Sequence, residues 1–116
     1  MKYVFLFCGT PADQVAFEAL SPDELRERYA QVGRWFAANA SKLGNGNQLQ
    51  GPETATTVSF AAEGATHVKD GLFLEGKEIV GGYTEVSVAD LGEALAIAKA
   101  WPGGGTIEIR AVVEQR

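Results

Sequence analysis

The chain carries a single imidazole, His67, and a single thiol, Cys8, among its 116 residues. Histidine titrates closest to neutral pH, so His67 is a candidate for acid–base work. Its nearest carboxylate partner in sequence is Asp70. Positions i and i+3 of a straight strand face opposite sides, so these two converge only if the chain turns at Asp70-Gly71. Without that turn, His67 is a surface or half-buried hairpin residue. Cys8 closes an apolar run with no cationic neighbour in sequence, and reads as an inert core thiol. Glu85 and Arg110 form a second constellation. Each is out of phase with the apolar positions of its own segment, so the pair either lines the face between two sheets or forms a structural ion pair.

The usual signatures of cofactor and nucleophile chemistry are missing. Gly44-x-Gly46 lacks the third glycine of a dinucleotide fingerprint and ends a helix rather than opening one. There is no Gly-Lys-Ser/Thr and no serine in a nucleophile elbow. One Cys excludes an internal disulfide, and one Cys with one His cannot build an ordinary closed zinc site. No cofactor and no metal are therefore expected. The formal charge of -5 argues against direct nucleic-acid binding, which draws most of its affinity from a basic face. A 46% hydrophobic content points to a folded chain, and its length to one domain over residues 1–116. No apolar stretch reaches the roughly 20 residues of a membrane span. The run Tyr3–Cys8 is too short for a signal peptide, so the expectation is a cytoplasmic protein without membrane contact.

The elements that position these residues follow from periodicity and caps. Tyr3 to Cys8 is a strand, and Gly9-Thr10-Pro11-Ala12-Asp13 reads as a loop. Ser21-Pro22-Asp23-Glu24 opens a helix with a cap, a first-turn proline and a glutamate three residues on. Its apolar stripe is Leu25, Tyr29, Val32, Phe36, Ala40 and Leu43, with Trp35 on the flank, and Gly44-Asn45-Gly46-Asn47 ends it. Segments 54–61 and 66–69 form a hairpin around Glu63-Gly64, and 70–82 is a glycine-punctuated loop. A strand over 83–88 leads to a helix capped by Asp90 that buries Leu91, Ala94, Leu95 and Ala98. A last strand spans 106–113. This order, β-α-β-β-β-α-β, suggests an α+β, ferredoxin-like β-α-β-β-α-β sandwich with both helices on one face of an antiparallel sheet. The first strand, however, is apolar on both faces, with Tyr3, Phe5 and Phe7 on one and Val4, Leu6 and Cys8 on the other. A second cover is needed. A homodimer with sheets packed face to face supplies it, and so does a middle segment folded across the open face.

The most specific segment is Asp70-Gly71-Leu72-Phe73-Leu74-Glu75-Gly76-Lys77-Glu78-Ile79-Val80-Gly81-Gly82-Tyr83. It resembles the DGPF signature of the YCII-related protein family. Asp70, Gly71, Phe73, Glu75, Lys77, Glu78, Gly81 and Gly82 match, while Leu72 replaces the proline and Gly76 the usual hydroxyl residue. Met1-Lys2-Tyr3, Ser21-Pro22, Ala55-Thr56-Thr57-Val58, Asp90-Leu91-x-Glu93-Ala94 and Gly104-Gly105-Thr106-Ile107-Glu108-Ile109-Arg110 extend the resemblance over essentially the whole chain.

The resemblance implies the dimeric α+β barrel. Relatives in the wider group look like enzymes with a His–Asp pair whose histidine lies early in helix one, but Ser21 to Tyr29 contains no histidine here. DGPF members also occur beside or fused to extracytoplasmic-function sigma factors. As a structural device the motif is self-sufficient, with Asp70-Gly71 turning the chain and Phe73 anchoring the loop. As a site it places Asp70, Lys77 and Tyr83 at the rim of an inter-subunit pocket. Two functions follow. The first is a small-molecule site in a homodimer, with Asp70 as base or anchor, Lys77, Tyr83, Glu85 and Arg110 as polar lining, and His67 as a further catalytic candidate. The second is a non-catalytic sensing or partner-binding module tied to transcriptional regulation. Exposed Trp35 or Trp101 favours the second, and Asp70 meeting another ionisable group in a closed pocket favours the first.

Overall fold

The computed structural model describes residues 1–62, 64–71 and 78–114. Its elements are β1 (Lys2–Gly9), α1 (Pro11–Glu18), α2 (Pro22–Ala38), β2 (Leu43–Gln48), β3 (Thr56–Phe60), β4 (Thr66–Asp70), β5 (Ile79–Ser87), α3 (Leu91–Lys99) and β6 (Thr106–Ala111). Four strands form an antiparallel sheet in the order β2-β5-β1-β6, and β3 and β4 pair separately as a hairpin. The chain therefore has the ferredoxin-like α+β arrangement, with the hairpin inserted between two neighbouring strands, β2 and β5.

Alternation along β1 sets the layers. Tyr3 and Phe5 are buried, and Phe5 has no exposed surface. Their cross-strand neighbours Val86 and Thr84 are buried too, and Ile109 and Ile107 from β6 pack on the same side. Trp35 from α2 and Ala94 and Ile97 from α3 complete this core. The indole N–H of Trp35 donates to the Ile97 carbonyl at 3.0 Å, which ties the two helices together beneath the sheet. Phe7, Trp35, Phe36 and Trp101 meet edge-on or tilted, with ring centroids 4.6 to 6.2 Å apart, within the range of favourable aromatic pairs.

Several elements differ from the sequence expectation. α1 starts inside the loop predicted after β1, opened by a capping box in which Thr10 and Asp13 exchange hydrogen bonds and Pro11 takes the first turn. The helix opening at Ser21 has its expected capping box with Glu24, but it ends at Ala38 and not near Leu43. Its buried face is centred on Trp35, while Tyr29 and Phe36 are largely exposed. The reason is a second neighbour: Phe17 of α1 packs its ring against Tyr29, so apolar residues lie on two sides of α2 and a single stripe drawn through them is rotated. In α3 the sheet-facing residues are Ala94, Ile97 and Ala98, with Leu91 and Leu95 displaced to its side.

The Gly44–Asn47 segment does not merely stop a helix but forms edge strand β2. Glycine and asparagine are poor strand formers, yet the close approach to β5 calls for glycine. A Cβ on Gly46 would lie 2.5 Å from the Tyr83 carbonyl oxygen. The strand expected from Tyr83 starts earlier, at Ile79, and the last strand ends at Ala111. The hairpin is present, but it does not fold across the open sheet face. Its strands pair with each other, and Val58, Phe60 and Val68 stay exposed.

Candidate functional site

One face of the four-stranded sheet lies against the helices. Among the described residues no helix covers the other, and Tyr83, Glu85 and Arg110, half of the site residues predicted from sequence, stand on it. Glu85, Val4 and Arg110 form one row across β5, β1 and β6. The next row holds Tyr83, Leu6 and Glu108, and Asn47 of β2 extends it beside Tyr83. Val4, Leu6, Cys8, Tyr83 and Glu85 are half-buried, whereas Arg110 and Glu108 at the β6 edge are exposed. The arrangement is an apolar strip bordered by a phenol and charges of both signs.

Glu85 and Arg110 do not form the ion pair considered from sequence. They flank β1 from opposite sides, which separates their backbones by two strand spacings, about 10 Å. Among the described residues the cation that reaches Glu85 is Lys2, at 4.0 Å, a half-exposed contact that contributes little to stability. Among the described residues Arg110 makes no ion pair. Tyr83 stands on the same face. Its hydroxyl oxygen accepts from the Asn47 amide at 3.0 Å, which leaves the phenolic proton available to a ligand. Cys8 shares this face beyond a register shift at Phe7/Cys8. Burial and the neighbouring carboxylates of Glu78 and Glu108 push its thiol up from the ordinary range, outweighing a backbone hydrogen bond at Glu108, so it is a protonated thiol at neutral pH.

His67 and Asp70 lie elsewhere, on β4. Both are exposed, and both remain within the straight strand, where Asp70 pairs with Thr56 and His67 with Ser59. The turn comes one residue later, at Gly71 with φ +95°, a conformation glycine adopts without strain. His67 and Asp70 therefore face opposite sides of the hairpin and are not brought together within the protomer. Lys77, Phe73 and the centre of the Asp70–Tyr83 segment lie outside the described residues. Trp35 is buried and Trp101 half-buried, so neither offers an exposed aromatic anchor.

Lys2, Glu108 and Asn47 join the open face without having been singled out from sequence. The alternation of β1 and β6 signals the first two, since Lys2 is in phase with Val4 and Glu108 with Arg110. Asn47 carried no such signal because β2 itself was not foreseen. Grooves on the protomer lie away from this face, one beside α2 lined by Leu20, Glu27 and Arg28, another between α3 and β6 lined by Leu95, Trp101 and Ile109. Among the described residues no three His, Cys, Asp or Glu side chains gather to hold a metal ion. No helix among them is long and apolar enough to cross a membrane.

A four-stranded antiparallel sheet in the order β2-β5-β1-β6, with helices on one face, defines a ferredoxin-like α+β protein. The family model of the YCII-related domain matches residues 1–116, and the chain belongs to that family. No curated protein matches it.

Proposed function

We propose that the protein acts as a homodimer in which the open sheet faces of two copies enclose a small polar molecule. The observation that carries this reading is the half-buried strip of Val4 and Leu6 bordered by Tyr83, Glu85 and Arg110. An apolar floor with a few convergent polar groups is the usual make-up of a ligand site. In this reading Arg110 binds an acidic group, the Tyr83 proton completes its hydrogen bonding, and Glu85 receives a donor from the opposite end of the ligand. Lys77 is the proposed rim residue, and Asp70 the proposed base or anchor.

Acid–base catalysis requires Asp70 or His67 to reach this strip, and in the protomer both stand on the hairpin. The non-catalytic form of the reading, a ligand-sensing module of the DGPF type connected with transcriptional regulation, needs no such convergence. The burial of Trp35 supports the ligand site over a protein-binding role. The test is a thermal-shift panel of small carboxylic acids and amino acids on the wild-type protein, Arg110→Ala and Tyr83→Phe. At least one compound is expected to raise the melting temperature of the wild type, with the shift lost in Arg110→Ala and reduced in Tyr83→Phe. Shifts that persist unchanged in both variants overturn the assignment of the site.

A further inference from the structure

The hairpin is amphipathic and its apolar side is uncovered. Register puts Thr56 with Asp70, Val58 with Val68 and Phe60 with Thr66 on one face, and Thr57 with Lys69 and Ser59 with His67 on the other. The second face is polar throughout. The first presents Val58, Val68 and Phe60 at 49%, 68% and 79% exposure. An isolated two-stranded hairpin is at best marginally stable in water, and the described residues of its own chain leave the apolar side of this one exposed. Strict alternation over two strands is the pattern of a sheet with something packed on one side.

The dimensions of the chain say how much is missing. Its accessible surface is 8410 Å², whereas a compact monomer of this mass exposes about 6,100 Å². The surplus is about 2,300 Å², the contribution of one partner to a large obligate interface and well beyond the roughly 800 Å² of a standard one. The radius of gyration is 16.6 Å against about 13 Å for a compact domain of this length. The extents of 48 × 45 × 19 Å describe a plate about two layers thick with an arm. The open sheet face alone does not account for the excess, because the arm exposes surface on both of its sides.

We infer that the β3–β4 hairpin is an inter-subunit clasp, which seats its Val58, Phe60 and Val68 face on a second copy of this chain. This rests on the homodimer proposed above and adds what the arm does in it. The polarity of the two hairpin faces then separates the two candidates on β4. Asp70, on the apolar side at the root of the arm, turns toward the partner and its site. His67, on the polar side, turns to solvent and takes no part in chemistry there.

Two measurements test the clasp. Hydrogen exchange followed by mass spectrometry, at protein concentrations above and below the dimer dissociation constant, is expected to show residues 56–70 protected only in the dimer. The double variant Phe60→Ser/Val68→Ser is expected to raise that dissociation constant at least a hundredfold, because each dimer loses two arms. Far-ultraviolet circular dichroism verifies that the four-stranded sheet persists in the variant. A wild-type chain that stays monomeric at all concentrations removes the homodimer and the clasp together. A dimer whose hairpin exchanges equally fast at both concentrations removes the clasp alone.

Discussion

Adjacent residues of β1 give the sharpest test of the open face, because Phe5 and Leu6 are both large and apolar yet serve different structures. Phe5 has no exposed surface and sits among Tyr3, Trp35 and Val86, so Phe5→Ala removes a full core ring and costs the protomer about 3–5 kcal/mol. Leu6 points to the open side, between Tyr83 and Glu108 in its row, and is half-exposed in the protomer. Leu6→Asp therefore leaves the internal core intact and acts on assembly. Burying the remaining half of a leucine is worth about 1 kcal/mol, and a two-fold interface counts it twice, so about 2 kcal/mol is at stake even before the cost of desolvating the new charge. That corresponds to a rise of at least about thirtyfold in the dimer dissociation constant. Sedimentation equilibrium reads this directly. A melting temperature that climbs with protein concentration in the wild type and not in Leu6→Asp reports the same linkage. A Leu6→Asp protein that dimerises as tightly as the wild type would refute the reasoning, as would a wild type whose melting temperature ignores concentration.

Other expectations concern the protomer. Trp35→Phe loses the indole bond to Ile97 and part of a ring, and is expected to lower the free energy of unfolding by about 2–3 kcal/mol in urea titration. Gly46→Ala places a methyl against the Tyr83 carbonyl, is expected to cost about 1–3 kcal/mol, and should release the Asn47–Tyr83 hydrogen bond, visible as a shift in the tyrosine ring resonances. Hydrogen bonds from Thr10, Ser21 and Ala89 hold Asp13, Glu24 and Glu93 below the ordinary carboxyl range. Their folded pKa values are depressed, so the stabilisation is present above the unfolded carboxyl pKa and is lost as pH falls through the folded values. Melting temperature measured from pH 7 down to pH 3 should drop in the acid limb, and Glu24→Gln with Glu93→Gln should flatten that drop.

What the sequence conveyed well were features written into neighbouring residues. The double apolar character of β1, the Ser21–Glu24 capping box and the alternation of β6 each depend on local spacing, and each is present as expected. The open face followed from β1 alone. Features set by distant partners were harder to read. Leu43–Gln48 is a strand because β5 offers it an edge, against its own propensity, and the phase of α2 is decided by α1 and Trp101 lying on different sides of it. The Thr10–Asp13 capping box was a usable signal for α1, masked by reading Gly9 to Asp13 as a turn cluster. The site shows the same division. Tyr83, Glu85 and Arg110 share one face because alternation says so, whereas the separation of His67 from Asp70 depended on where the turn falls, which is at Gly71 and not before it.

The place of β1 in the sheet also bears on how the molecule is made. Tyr3 pairs with Ala111 and Cys8 with Thr106, so the first strand of this domain to be synthesised takes its β6 neighbour from the last. Its other neighbour, β5, is made only after the hairpin. Until then β1 presents an apolar ribbon with both hydrogen-bonding edges free, the type of segment that associates with the wrong partner. Pairings so distant along the chain make for slow folding. The sheet closes only after synthesis has reached β6, and a nascent chain stalled before Thr106 holds its most apolar strand without a complete place to put it.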